Sequence, residues 1–388
     1  MPLRILFLDQ FGTFGGAQRV LWEVLRSLPA SRYVPAIALN GEGDFHDALK
    51  VSGFRVIRLP LGSYRSVRKS WTDRLRFFWK TAHCAVELIG LVVWESIDVM
   101  YANGPRTFVC ASVAGKLSRR PVIWHLHNVL EEQTELRLLA FLSGWTDQII
   151  SCSSAAAEPL LKVQPQLRSR ITVIRNPAPN WAVQGVESLQ RINPFFESRG
   201  GDTGVGILGR VTPFKGQLQF VQAAKLVVCQ FEQAHFWVIG SPEPGSSQDQ
   251  QYLQEVRRQV EESGLSAKFS FVPHQEPVAP YYALLDIVVI ASQGPEALAM
   301  TAIEAMALGK GIVAPDAGGN SEIIEDEETG LLAPDATPEA LARQILRLLH
   351  DTNLRKRLGQ KAWTVARQRF SLDSFQKQVM QIVDSAAR

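Results

Sequence analysis

Apolar residues along this chain come in short runs, separated by stretches whose apolar positions recur every three or four residues. Ile5–Leu8 is one such run. A turn rich in glycine (Gly12, Gly15, Gly16) follows it, and then Val20, Leu21, Val24, Leu25 and Leu28 fall at helical spacing. The pattern predicts strand, loop and helix in that order. It recurs, with strand candidates at Ala36–Leu39, Val56–Leu59, Val99–Tyr101, Val122–Leu126, Gln148–Ser151 and Thr172–Ile174. Strands alternating with helices predict a parallel sheet covered on both faces.

Between Asn176 and Gly204 the periodicity fades, and Pro177, Pro179, Pro194, Gly200 and Gly201 punctuate the stretch. The rhythm then restarts, with strands expected at Val205–Leu208, Phe236–Ile239, Phe269–Val272, Ile287–Ile290 and Ile312–Ala314. Helices are expected near Leu218–Val228, Tyr252–Glu262 and Thr301–Leu308, and from Pro338 onward. The fold class is therefore α/β, with two Rossmann-like domains at 1–178 and 204–370, a linker at 179–203 and a helical tail at 371–388. A ligand is expected at the cleft between the domains, outside the carboxyl ends of the strands.

Composition narrows the class. The chain has 388 residues, 46% hydrophobic and 20% charged, enough for two buried cores and unlike a disordered or collagen-like chain. Its four cysteines (Cys84, Cys110, Cys152, Cys229) have no metal-ligand spacing and read as reduced thiols of a cytoplasmic protein. The opening MPLRILFLDQ is too short an apolar run for a signal peptide. The longest apolar stretch, Ala82–Trp94, is broken by Glu87 and cannot span a bilayer. A net charge of +3 gives no case for nucleic acid. The cations are unevenly placed, however. Arg65, Arg68, Lys69, Arg74, Arg76 and Lys80 sit among Tyr64, Trp71, Phe77, Phe78 and Trp79, a composition that suits the anionic inner face of a membrane and equally a solvated helix.

Three stretches carry candidate chemistry. Gly204-x-Gly206-x-x-Gly209 has dinucleotide-fingerprint spacing, but its first glycines fall inside a predicted strand, so it is not read as one. The loop that follows holds Arg210 and Lys215 before Gly216, two cations suited to a diphosphate or to plain solvent. From Gly294 to Glu304, Glu296 and Glu304 flank a small-residue turn at Ala297 and Ala299. There the backbone of Met300 and Thr301 would open a helix N-terminus, a natural phosphate site. In the first domain, His125 and His127 alternate along the end of a predicted strand, beside Asn128, and so share a face. Two imidazoles without a third ligand are poor evidence for a metal, and none is assigned.

Taken together, Gly209-Arg210…Lys215-Gly216, Glu296-x7-Glu304-Ala-Met-Ala-x-Gly309, Gly318-Gly319-x-x-Glu322 and Gly330-Leu331-Leu332 resemble the retaining glycosyltransferases of family 4, which have the GT-B fold. Gly15-Gly16-Ala17-Gln18-Arg19 is similar to that family's N-terminal glycine loop, and Asn176-Pro177 stands where Asn-Gly is usual. The resemblance implies a UDP- or GDP-linked sugar as donor, no bound cofactor and no required metal. It implies that Arg210 and Lys215 grip the diphosphate, Glu304 the ribose and Glu296 the sugar, with Ala299, Met300 and Thr301 lining the donor pocket. Gly15 and Gly16 would approach the donor through their backbone, and His127 would lie near the transferred sugar. His125 and Asn128 would stand on the acceptor side. The acceptor could be a glycan, a lipid-linked glycan or a small molecule, and the last helix would cross back to the first domain. Pro273 and Ala299 replace residues that are usually glycine, which leaves the base and the width of the donor pocket open. A nucleotide-sugar epimerase of the same fold and a non-catalytic scaffold are the rival readings. The four charged residues of the second domain argue against a scaffold.

Overall fold

The computed structural model describes residues 1–61, 71–184, 201–274 and 278–388, and for 71–78 and 183–184 the backbone only. The chain divides into two compact units, one formed by Met1–Asn176 with Asp373–Arg388 and the other by Pro177–Leu372. In the first unit seven strands form one parallel sheet: β1 (Leu3–Asp9), β2 (Tyr33–Leu39), β3 (Arg55–Arg58), β4 (Val99–Asn103), β5 (Val122–Leu126), β6 (Gln148–Ser151) and β7 (Ile171–Val173). Their order is β3-β2-β1-β4-β5-β6-β7. The second unit's sheet has six strands: β8 (Thr203–Leu208), β9 (Ala234–Ile239), β10 (Phe269–Val272), β11 (Ile287–Val289), β12 (Gly311–Pro315) and β13 (Leu331–Ala333), in the order β10-β9-β8-β11-β12-β13.

The central strands are buried along their length, as both faces of a parallel sheet require: Ile5–Leu8 in β1 and all of β4, β5, β9 and β12 are covered. Each unit has its own apolar core, one around Phe108, Trp124 and Leu88, the other around Phe220, Phe236 and Leu348. Helix ends follow local chemistry. Ser246 caps the helix Ser247–Glu262 by accepting from the Asp249 amide at 3.2 Å, and Asp351 caps Thr352–Arg369 through the Leu354 amide at 2.8 Å. The first of these helices starts five residues before the expected Tyr252, because its opening turn is polar on every side. β13 is a three-residue edge strand, too short to leave a periodic signal.

The first described part of the expected linker, 179–184, includes the helix Asn180–Gln184 and packs in the second unit, and the linker's last residue, Thr203, already belongs to β8. The Ala178 amide donates to the Phe370 carbonyl at 2.8 Å, and Trp181 lies against Tyr282, ring centres 5.6 Å apart. The tail helix, Leu372–Ala386, belongs to the first unit: Asp384 accepts from Arg32 at 2.7 Å and from the Tyr33 hydroxyl at 2.8 Å. In the cationic Tyr64–Lys80 stretch, 64–70 lie outside the described residues and only the backbone is described for 71–78, while Trp79 and Lys80 at its end are exposed. Among the described residues no helix is long and apolar enough to cross a membrane.

The structure explains Gly204 and Gly206 without a nucleotide. A β-carbon on Gly204 would lie 1.9 Å from the Leu284 carbonyl oxygen, and one on Gly206 would lie 2.5 Å from the Leu285 side chain. These glycines let the segment before β11 pack onto β8. Gly204→Ala is therefore expected to cost about 1–3 kcal/mol, since the obstacle is backbone. In a thermal melt the loss reads as roughly 2–10 °C in Tm. Gly90→Ala, on a helix with open space around it, should leave Tm unchanged or slightly raised.

Candidate functional site

Each sheet reverses its strand order once beside its first strand, between β1 and β4 and between β8 and β11. The connections on the two sides of such a point leave toward opposite faces and open a crevice beyond the carboxyl ends. The candidate residues gather at these two points.

In the second unit, β8 runs into the loop that carries Arg210 and Lys215. Gly216 ends this loop in a left-handed conformation (φ 73°), and a β-carbon there would lie 1.9 Å from the Ala291 carbonyl oxygen. This close approach, with the Gln293 amide donating to the Phe214 carbonyl at 2.8 Å, presses the loop after β8 against the loop after β11. Lys215 thereby reaches Glu296, and its Nζ donates to Glu296 Oε1 at 2.7 Å. The Ser292 hydroxyl donates to the same oxygen. Arg210 points elsewhere and pairs with Glu243 at 2.7 Å, both side chains well exposed.

Glu296 is itself held from behind. Gly318 (φ 60°) and Gly319 pass so close to the segment at Glu296 and Ala297 that β-carbons there would lie 2.3 and 2.0 Å from its carbonyl oxygens. The Gly319 amide donates to the Glu296 carbonyl at 2.7 Å. The Gly-Gly pair thus sets the path of the Glu296 turn. The helix Met300–Ala307 follows, with Ala299 as its N-cap, so Met300 and Thr301 form the first turn of a dipole-positive end. Glu304 is buried one turn on and accepts from the Tyr282 hydroxyl at 2.5 Å. Burial, and then the neighbouring Glu304, push the Tyr282 hydroxyl far up, so it stays protonated and donates.

In the first unit the switch point brings β1 and β4 together with Asp9 opposite Asn103. Asp9 is fully buried and accepts from Asn103 Nδ2 at 2.6 Å, from Gln18 Nε2 at 2.8 Å and from the Phe11 amide at 2.9 Å. Desolvation outweighs these donors and pushes its carboxyl up to about 7. Asn103 Oδ1 meets His127 Nε2 at 2.7 Å, and His125 Nδ1 meets the Tyr101 hydroxyl at 2.6 Å. The two imidazoles lie 3.9 Å apart, centre to centre, and Phe375 of the tail helix covers His125 at 6.5 Å. Burial holds His127 down to about 3 and His125 below its usual range as well, so both rings are neutral at pH 7. Gly15 is the N-cap of Gly16–Arg26, without a side-chain cap, and Asn128 is exposed.

Of the residues expected from sequence, the structure brings Lys215 to Glu296 and His125 to His127, and it turns Arg210 to Glu243. Tyr282, Ser292, Glu243, Asp9, Asn103 and Tyr101 were not foreseen. Asp9 and Asn103 had left a signal, as polar residues ending otherwise apolar runs directly before glycine-containing loops. Among the described residues no group of three or more His, Cys, Asp or Glu could hold a metal ion.

Residues 190–364 match the family Glycosyl transferases group 1, and residues 14–179 match Glycosyltransferase Family 4. Two curated relatives are the lipopolysaccharide 1,2-N-acetylglucosaminetransferase of Salmonella typhimurium and the D-inositol 3-phosphate glycosyltransferase of Corynebacterium glutamicum. The first is 29% identical over 43% of this chain and 44% of its own, the second 32% identical over 42% and 39%. The matched stretch thus spans less than half the length of either. Over the whole chain, the fold is similar to that of HepE of Anabaena, solved in complex with UDP and glucose (TM-score 0.84, 25% identity, 99% of this chain and 100% of that one).

The depressed His127 basicity gives a stability prediction. The folded ring takes its proton near pH 3, against 6.5 for an ordinary histidine, so its contribution is complete above about pH 6.5 and is lost as the pH falls toward 3. Relative to His127→Gln, the wild type should lose up to ~1.4 kcal/mol of unfolding free energy per pH unit between pH 6 and 4. Denaturant melts of both proteins across that range measure it.

Proposed function

The chain belongs to family 4 of the glycosyltransferases, and from that premise we propose that it moves a sugar from a UDP-linked donor to an acceptor hydroxyl with retention of configuration. The observation that carries the reading is the pairing of Lys215 with Glu296 beside the N-terminus of the helix Met300–Ala307 at the β8/β11 switch point. Lys215, Arg210 and the amide end of Met300–Ala307 supply positive potential where a diphosphate must leave, and stabilising a departing anion is the main electrostatic demand of the reaction. Glu304, oriented by Tyr282, accepts from ribose hydroxyls, and Glu296 accepts from hydroxyls of the sugar. UDP is preferred over GDP as the donor nucleotide because HepE, similar over the full chain, was solved with UDP.

No carboxylate is assigned as a covalent nucleophile. The acceptor hydroxyl attacks from the face the diphosphate leaves, and a departing phosphate oxygen takes its proton as the glycosidic bond to phosphorus-bound oxygen breaks. The first unit selects the acceptor, with His127 near the sugar and His125 and Asn128 on the acceptor side. A cell-envelope or lipid-linked glycan is the acceptor class we favour, in keeping with the lipopolysaccharide relative. The helix Trp71–Trp94 exposes Val86, Val93 and Trp94 along one side, following the cation-rich segment, which supports docking on an anionic leaflet.

With UDP, GDP and ADP compared in thermal shift, UDP is expected to raise Tm by linkage. Lys215→Ala and Arg210→Ala should then each lower kcat by about 10²–10³-fold with a UDP-sugar. Near-normal turnover in both variants would remove the diphosphate assignment, and donor turnover with sugar inversion but no acceptor would favour an epimerase. Cosedimentation with vesicles containing anionic lipid should decline with salt and weaken in Trp94→Ser. Binding indifferent to lipid charge argues against the membrane.

A further inference from the structure

The hydrogen bonds at the β1/β4 switch point form a directed chain. Asp9 is buried, and both its oxygens accept: Oδ1 from the Phe11 amide and from Gln18, Oδ2 from Asn103. Once Asp9 is ionised, above its raised pKa of about 7, its carboxylate fixes which end of the amide it meets, so Asn103 turns its NH2 to Asp9 and its carbonyl oxygen to His127. A carbonyl only accepts, so His127 Nε2 carries the hydrogen across the 2.7 Å contact and the lone pair of the neutral ring resides on Nδ1. Nδ1 is buried and has no partner among the described residues. Asp9, Gln18 and Asn103 are buried, while His127 as a residue is half-buried.

The neighbouring imidazole has the opposite vacancy. The Tyr101 hydroxyl is best satisfied by donating to His125 Nδ1 at 2.6 Å, which leaves His125 Nε2–H as a buried donor without a partner among the described residues. The two adjacent rings therefore offer one unmatched acceptor and one unmatched donor, the two complements of a single hydroxyl group.

Building on the function proposed above, we infer that Asp9 and Asn103 are positioning residues that lock His127 in its Nε2–H tautomer, so that a hydroxyl of the bound sugar or acceptor meets His127 as an acceptor of its proton. Nothing in this arrangement transfers a proton to His127, which stays neutral. The carboxylate and amide act on it only through orientation and polarisation.

The chain of fixed donors gives a sharp, nearly isosteric test. In Asp9→Asn the Phe11 amide and Gln18 still require an oxygen at their side, so the new NH2 faces Asn103. Asn103 must then invert, presenting NH2 to His127, and His127 must shift its hydrogen to Nδ1. Full-length protein labelled with 15N-histidine reports the tautomer in a long-range proton–nitrogen correlation, with His127 signals identified by their loss in His127→Gln. At a pH well above the Asp9 pKa of about 7, we expect Nε2–H in the wild type and Nδ1–H in Asp9→Asn, with kcat/KM for a UDP-sugar reduced about 10–100-fold and the Kd for UDP unchanged. In Asn103→Leu the tautomers should mix. A wild type with Nδ1–H, or an Nε2–H signal unaltered in both variants, overturns the inference. Should the variants fail to fold, the wild-type tautomer still decides it. Absence of UDP binding would instead count against the proposed function and leave the tautomer lock standing.

Discussion

Parallel pairing is the constraint on which the rest of this molecule depends. Every strand pair in both sheets runs parallel, so each needs a crossover, and the crossovers bury both faces of the sheet. Polar side chains are then tolerated mainly where strands end. All carboxyl ends in one sheet lie along the same edge, so chemistry collects there, and the single reversal of strand order decides which two loops part to leave room. Asp9 and Asn103 in one unit, and the Arg210–Gly216 and Ser292–Glu304 segments in the other, stand at that point for the same topological reason.

The two networks use charge differently. In the second unit each cation already has a carboxylate, Lys215 with buried Glu296 and Arg210 with exposed Glu243. A diphosphate bound there, as proposed, would have to exchange partners, so binding would gain less than two bare cations would give, and discrimination would depend on which exchanges the ligand can complete. In the first unit the imidazoles are neutral, and Asp9, the carboxyl of their network, is screened from solvent behind an amide. Geometry is what that network contributes.

Much of this was legible in sequence. Strand positions followed from short apolar runs, and Arg210, Lys215, Glu296 and Glu304 could be picked out because βα loops announce themselves by a run, a glycine and a helix. What sequence reasoning missed was non-local. Asp9 and Asn103 are 94 residues apart, Glu243 lies on the loop after a different strand from Arg210, and Tyr282 reaches Glu304 across β11. No local period encodes such meetings; they exist only once the register is set. The role of Gly318 and Gly319 was hidden likewise, since a paired glycine signals a tight passage without naming the segment it passes.

The tail helix adds an asymmetry in time. Phe375 closes over His125, Gln376 donates to the Glu23 carbonyl at 3.3 Å, and Asp384 ties down Arg32 and Tyr33. The second unit is continuous in sequence and can complete its core as soon as it emerges from the ribosome. The first, although made earlier, must wait for residues beyond 372 before its histidines are covered. During synthesis the first sheet therefore has all its strands by Val173, yet the older half spends the whole making of the second unit with its polar end open to water.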